Sequence, residues 1–117
     1  MEDFEAAAEF LKAIAHPARV SILRRLEQGI LCVSEMGGFL ELAQPNISQH
    51  LAIMKHAGLV DCYVDGKQRC YFLKDPRVKG LLDAACMKDV KPLPDPPRPT
   101  KEMKDACKLR MAGGGQR

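Results

Sequence analysis

A chain of 117 residues with 46% hydrophobic content has room for one domain of ordinary size. With aromatics at 5% and no tryptophan, its core must rest on Leu, Ile, Val, Ala and Met. The formal charge of +3 is unevenly spread, with ten Lys/Arg against eleven Asp/Glu in residues 1–87 and eight against four in residues 88–117. A nearly neutral body with a basic tail permits nucleic-acid binding without demonstrating it. No apolar run approaches the ~18 residues that a membrane span needs, and the acidic, amphipathic N-terminus is unlike a secretory leader. A cytoplasmic protein with no membrane partner is therefore expected. Its five cysteines would be reduced at rest, and an odd number argues against a purely structural disulfide framework.

In chain order, residues 2–15 read as a helix with an apolar stripe of Phe4, Ala7, Ala8, Leu11, Ile14 and Ala15, and with Glu2, Asp3 and Glu5 at the positive end of its dipole. His16-Pro17 ends it and opens a second helix through about Gln28, with Val20, Ile22, Leu23 and Leu26 inward and Arg19, Arg24 and Arg25 outward. Gly29 stops that helix. Ile30-Leu31-Cys32 reads as a small strand, Ser34 as the cap of a short third helix through Leu40, and Glu41-Leu42-Ala43 as a turn.

The fourth helix, residues 44–57, is the informative one. Pro45 suits its first turn and Gly58 its C-terminal exit. Ile47, Leu51 and Met54, with Ile53 and Ala57 beside them, are spaced to face inward. The other face carries Gln44, Asn46, Ser48, Gln49, His50 and Lys55, where a solvated helix would carry Lys and Glu. Amides and hydroxyls leave water at lower cost than full charges and can read base edges. Beyond Gly58 the period changes to two. Residues 60–64 and 69–73 read as strands around an Asp65-Gly66 turn, with Lys67 and Arg69 at or beside the tip. Asp75-Pro76 opens a helix through about Met87 with Val78, Leu81, Leu82 and Ala85 apolar. The Pro-rich stretch from Lys88 favours an extended segment, residues 101–111 can form an amphipathic turn or two, and Gly113-Gly114-Gly115 is a loose end.

A short helix, a turn, a helix with a polar outer face and a following hairpin make a winged helix-turn-helix. The residues then become specific. Ile14-Ala15-His16-Pro17-Ala18-Arg19-Val20-Ser21-Ile22-Leu23, Gln44-Pro45-Asn46-Ile47-Ser48-Gln49-His50-Leu51, Ala57-Gly58-Leu59-Val60 and the wing through Tyr71-Phe72-Leu73 together resemble the ArsR/SmtB family of metalloregulatory repressors, over about residues 4–87. The resemblance implies a homodimer, built on the first and last helices, that binds a palindromic double-stranded DNA operator and leaves it when an inducer arrives. Paired recognition helices would meet successive major grooves roughly 34 Å apart. Carried onto this chain, Gln44, Asn46, Ser48, Gln49 and His50 are expected near base edges or flanking phosphates, with His50 assigned to phosphate. Lys55, Lys67 and Arg69 are expected on the phosphate backbone, which positions but does not read.

The inducer is less legible. Arsenic sensors of that family often carry Cys-Val-Cys-Asp-Leu-Cys at the third helix, where this chain has Cys32-Val33-Ser34-Glu35-Met36-Gly37, so only the first thiol is kept. Serine does not replace a thiolate for a soft ion. Zinc sensors use Asp and His on the last helix; Asp83 is present but His16, His50 and His56 lie elsewhere, so a zinc site of that kind is not expected. Two chemistries stand side by side. Cys32, Cys62, Cys70, Cys86 and Cys107 are candidate ligands of an atypical As(III)/Sb(III) or other thiophilic site, or a pair among them is an oxidation or persulfide switch, with Cys62 and Cys70 nearly opposite on the wing strands. Free cysteines are also common small buried hydrophobes.

The sequence thus describes a mainly α, homodimeric winged helix-turn-helix in residues 1–87 with a basic Pro-rich tail in 88–117. It reads as a repressor released by a thiol-dependent inducer. A redox or persulfide sensor, a metabolite-responsive regulator and a protein-interaction winged helix are the alternatives. An enzyme is not supported: there is no nucleophile–base spacing and no phosphate-cradling Gly loop.

Overall fold

A computed structural model describes residues 2–113; the glycines at 114–115, expected as a loose end, lie outside them. Helix α1 (Phe4–Ile14) is opened by Asp3, whose carboxylate accepts from the Ala6 N–H at 3.0 Å. His16 caps α2 (Pro17–Leu26) by accepting from the Ala18 N–H through Nδ1 at 3.0 Å, with Pro17 in the first turn as its fixed φ favours. After the two-residue strand β1 (Leu31–Cys32) come α3 (Val33–Leu40) and α4 (Gln44–His56), then the hairpin β2 (Val60–Asp65) and β3 (Gln68–Leu73), and α5 (Arg77–Ala85). Residues 88–100 have no regular structure, and α6 (Lys101–Gly113) follows, longer than the turn or two expected. Residues 88–110 are all exposed, so none of this segment is buried against the rest of the chain.

The strands form one antiparallel sheet in the order β1-β3-β2. Leu31 pairs with Tyr71 and Cys32 with Cys70 on one side of β3; Cys62 pairs with Tyr71, Tyr63 with Cys70 and Asp65 with Gln68 on the other. The hairpin loop is therefore Gly66-Lys67, one residue beyond the expected Asp65-Gly66 turn, and Gly66 supplies the positive φ (64°) that the tight reversal uses.

One cluster holds the domain together. Ile22, Leu23 and Leu26 from α2, Met36 from α3, Ile47, Leu51 and Met54 from α4, Leu59, Val60 and Tyr71 from the wing, and Val78 and Leu82 from α5 are all buried in it. Full burial of such side chains contributes about 1.5–3 kcal/mol each. The α4 spacing thus does what its sequence predicts, except that Ile53 and Ala57 are exposed. The stripe on α1 is largely open in the single chain. Only Ala13 and Ile14 are buried and Phe10 is half-buried, while Phe4 (73% exposed), Ala7, Ala8, Leu11 (49%) and Ala15 are open. Helix α1 packs against α2 and α4 through its last turn and through Phe10, which also lies under the Arg77 guanidinium, while Phe4, Ala7, Ala8 and Leu11 stay exposed. Ala85 on α5 is likewise exposed.

Helix α3 starts earlier than expected. Cys32, not Ser34, occupies its N-cap position, and Glu35 Oε1 accepts from the Cys32 N–H at 2.8 Å. It ends on Glu41 in the left-handed region (φ 54°), the only non-glycine residue with positive φ among those described. That residue makes the sharp bend between α3 and α4.

Candidate nucleic-acid interface

Helix α4 presents its amide-rich face to solvent because Ile47, Leu51 and Met54 bind the opposite side to the core. Gln44, Asn46, Ser48, Gln49 and Lys55 are exposed, as are Lys67 and Arg69 on the wing. Two of these groups converge. Gln44 and Ser48 from α4, Ser34 from α3, and Lys67, Gln68 and Arg69 from the wing line a single open cleft of about 340 Å³. Helix face and hairpin tip therefore form one surface that joins neutral donors and acceptors to two cations. Such a surface can read base edges from the helix while the cations hold phosphate oxygens. Asn46, Gln49 and Lys55 lie on the same helix outside the cleft. Residue order alone does not mark Ser34 or Gln68 for this surface. Ser34 reads as a helix cap, and Gln68 is a neutral residue standing between two cations.

His50, expected at a phosphate, has one ring nitrogen engaged within the protein. It is half-buried, its Nδ1 accepts from Arg19 Nε at 3.1 Å, and its ring lies 4.4 Å from that of His16, tilted by 47°. Burial, with the nearby His16 and Arg19, lowers its pKa from the usual 6.5. Arg19, expected to point outward, also donates through Nη1 to the Lys12 and Ala13 carbonyls at 3.3 and 3.4 Å. It joins the end of α1 to α2 and α4. His50 is thus part of the mount of the recognition helix, with its Nδ1 spent on the protein.

The cysteines separate into distinct environments. Cys62 shares the core-facing side of the sheet with Tyr71 and packs half-buried against the hydrophobic cluster. Cys70 points to the other side, so the expected Cys62–Cys70 approach does not occur: residues that pair directly share a face, and these two are offset by one. The partner of Cys70 is Cys32. They are directly paired across β1 and β3, and their sulfurs are 2.9 Å apart with both thiols free. The hydrogen bond to Cys70, desolvation and the negative charge of neighbouring groups push the Cys32 thiol up to about 12. Cys86, just past α5, and Cys107, on α6, are exposed. Among the described residues, no group of three or more His, Cys, Asp or Glu side chains is placed to hold a metal ion. Asp83 accepts from Arg24 Nη1 and Lys79 Nζ, each at 2.8 Å, which fastens α5 to α2. No helix among the described residues is long and apolar enough to cross a membrane.

Residues 16–61, from the α2 cap to the start of the wing, match the family model described as bacterial regulatory protein, arsR family. The chain is 42% identical over 83 residues to an uncharacterized HTH-type transcriptional regulator of Methanocaldococcus jannaschii, covering 70% of this chain and 93% of that protein. It is 40% identical over 84 residues to the HTH-type transcriptional repressor SmtB of Mycobacterium tuberculosis, covering 71% of this chain but only 62% of that one. Among solved structures, HlyU from Vibrio cholerae superposes with a TM-score of 0.66 at 35% identity, over 73% of this chain and 94% of the other.

Proposed function

The chain belongs to the arsR family of bacterial regulatory proteins, a family of DNA-binding transcriptional regulators and not of enzymes, and we propose that it is a homodimeric repressor whose α4 face and wing grip an operator duplex until an inducer weakens the grip. The observation that carries this reading is the shared cleft, which Gln44 and Ser48 of α4 line together with Lys67 and Arg69 of the wing. A helix that only packed against protein would have no need of that pairing. Two copies are invoked because the first turns of α1 leave Phe4, Ala7, Ala8 and Leu11 uncovered, an apolar face that a second copy would bury. Twofold symmetry would then present the two α4 helices to two half-sites.

Inducer and operator would favour different geometries of the dimer, so each weakens the other's binding by the same factor. Sulfur is the proposed point of inducer action, either through a thiophilic species such as As(III) or Sb(III) or through oxidation, and what supports it is the Cys32–Cys70 contact. The direct test begins with a duplex selected by the protein from a random pool. Binding should weaken steeply with salt as counterions are released. Salt-insensitive association, or no selection of duplex at all, would favour a protein-interaction module instead. A variant with all five cysteines changed to Ser should stay on the selected duplex in the presence of As(III), Sb(III) and peroxide, and its release by any of them would remove sulfur from that response.

A further inference from the structure

We propose that Cys32 and Cys70 form a redox clasp inside the DNA-reading head: a hydroperoxide oxidises the pair to a disulfide, and that bond lowers affinity for the operator. The proposal rests on the DNA-binding reading above and specifies its regulation. Three observations carry it. The two residues are direct cross-strand partners, and their sulfurs, 2.9 Å apart, are already closer than non-bonded sulfur atoms normally stand. Directly paired antiparallel residues have Cα atoms about 4.5–5.5 Å apart, inside the range that disulfides span, so closure needs no rearrangement of the strands. The third observation is location. Cys32 caps α3 and is followed by Val33 and Ser34; Cys70 lies between Arg69 and Tyr71; and all four of those neighbours line the cleft.

The chemistry balances without a further partner. A thiolate at half-exposed Cys32 attacks one oxygen of hydrogen peroxide, the O–O bond breaks, and the departing hydroxide takes up a proton, giving a sulfenic acid and water. The Cys70 sulfur then attacks the Cys32 sulfur and the S–OH bond breaks. The hydroxide leaves with the Cys70 proton as a second water. The two sulfurs together lose two electrons, and the peroxide gains them. Among the described residues no third cysteine joins the pair. Cys62 lies on the other face of the sheet, and Cys86 and Cys107 are exposed. The geometry therefore fits a two-sulfur bond better than a three-coordinate ion. The bond locks the start of α3 to β3, so the walls of the cleft built by Val33 and Ser34 and by Arg69 and Tyr71 can no longer adjust to one another on the duplex.

The full-length protein, reduced and then treated with hydrogen peroxide, is alkylated and digested for peptide mapping, and its affinity for a duplex selected by the reduced protein is measured in parallel. The expected result is a Cys32–Cys70 linked peptide, a fall in affinity of about tenfold, and recovery of affinity with a dithiol reductant. Cys70→Ser should keep its affinity under peroxide. Cys32→Ser, which puts a better helix cap at the start of α3, provides a second variant should the buried position 70 tolerate change badly. The proposal is overturned if the linked peptide does not form, if it forms without loss of affinity, or if both serine variants lose affinity as the parent does. Failure of the reduced protein to select any duplex would instead overturn the DNA-binding reading, while the linked peptide is scored without DNA.

Discussion

Arg19 holds His50 by a hydrogen bond from Nε to Nδ1 at 3.1 Å, and the same guanidinium reaches two carbonyls at the end of α1. A residue of α2 thereby sets the position of the recognition helix relative to α1, and it does so through an imidazole that must stay unprotonated on Nδ1 to accept.

The sign of the resulting pH dependence is fixed. The folded protein lowers the His50 pKa below its usual 6.5, so between those two values the unfolded chain binds more protons than the folded one. Stability is then greatest above the unfolded pKa and falls as pH drops through 6.5 toward the folded value. Urea unfolding at about pH 7.5 and pH 5 should show this loss, and His50→Gln, which keeps an acceptor but cannot titrate, should reduce it. An unchanged pH profile in that variant would show that other groups carry the acid sensitivity.

Trimming the cleft side chains should separate reading from holding. Gln44→Ala with Ser48→Ala should weaken the selected duplex by about 1–3 kcal/mol for each base edge left unread and narrow the gap to random DNA. Lys67→Ala should weaken all duplexes alike and make the salt slope shallower by about one. Gel-shift titrations at several salt concentrations distinguish the two, and a sequence-dependent weakening in Lys67→Ala would contradict its phosphate role. Neither change touches the core, so thermal unfolding should be unaltered.

At the α3–α4 bend, Glu41 adopts a backbone conformation (φ 54°) that costs a residue with a Cβ roughly 1–2 kcal/mol. Glycine avoids the penalty but loses more chain entropy on folding. Glu41→Gly should therefore stabilise the domain by about 0.5–1 kcal/mol, seen as a rise of a few degrees in Tm. A fall in Tm would mean that the Glu41 side chain supplies something in the fold beyond its backbone angle.

The uncovered face of α1 gives a test of assembly. Leu11 is 49% exposed, so Leu11→Glu should leave the folded monomer intact. In sedimentation equilibrium the parent should run as a dimer and the variant as a monomer, and operator affinity should drop with the second half-site. A variant that stays dimeric would place the interface elsewhere.

Much of this architecture can be read from residue order. The three- and four-residue steps of Ile47, Leu51 and Met54 give both the buried side and, by difference, the polar side of α4. His16-Pro17 marks the junction of α1 and α2, and Asp65-Gly66 locates the wing to within a residue. Periodicity identifies an apolar face but does not say what covers it, so the spacing of Phe4 and Leu11 marks a stripe without telling core from interface. Strand pairing eludes the sequence for a related reason. With a two-residue loop at either place Cys62 and Cys70 are offset by one and fall on opposite faces, and it is the separate pairing of β1 with β3, which no local pattern marks, that sets Cys70 against Cys32. The Arg19–His50 bond joins positions far apart in sequence, and no local pattern announces it.

Because β3 lies in the middle of the sheet, the outer edge of β2 has no strand beside it among the described residues, and that strand carries half-exposed Tyr63 and well-exposed Val64. Such a margin invites a second molecule to add on and begin a fibre. Asp61, paired with Lys74 Nζ at 3.5 Å, and Asp65 bracket the run Cys62–Val64, so a strand adding at this margin would have to cover carboxylates. Neutralising both carboxylates should leave the fold intact and cost the protein its solubility.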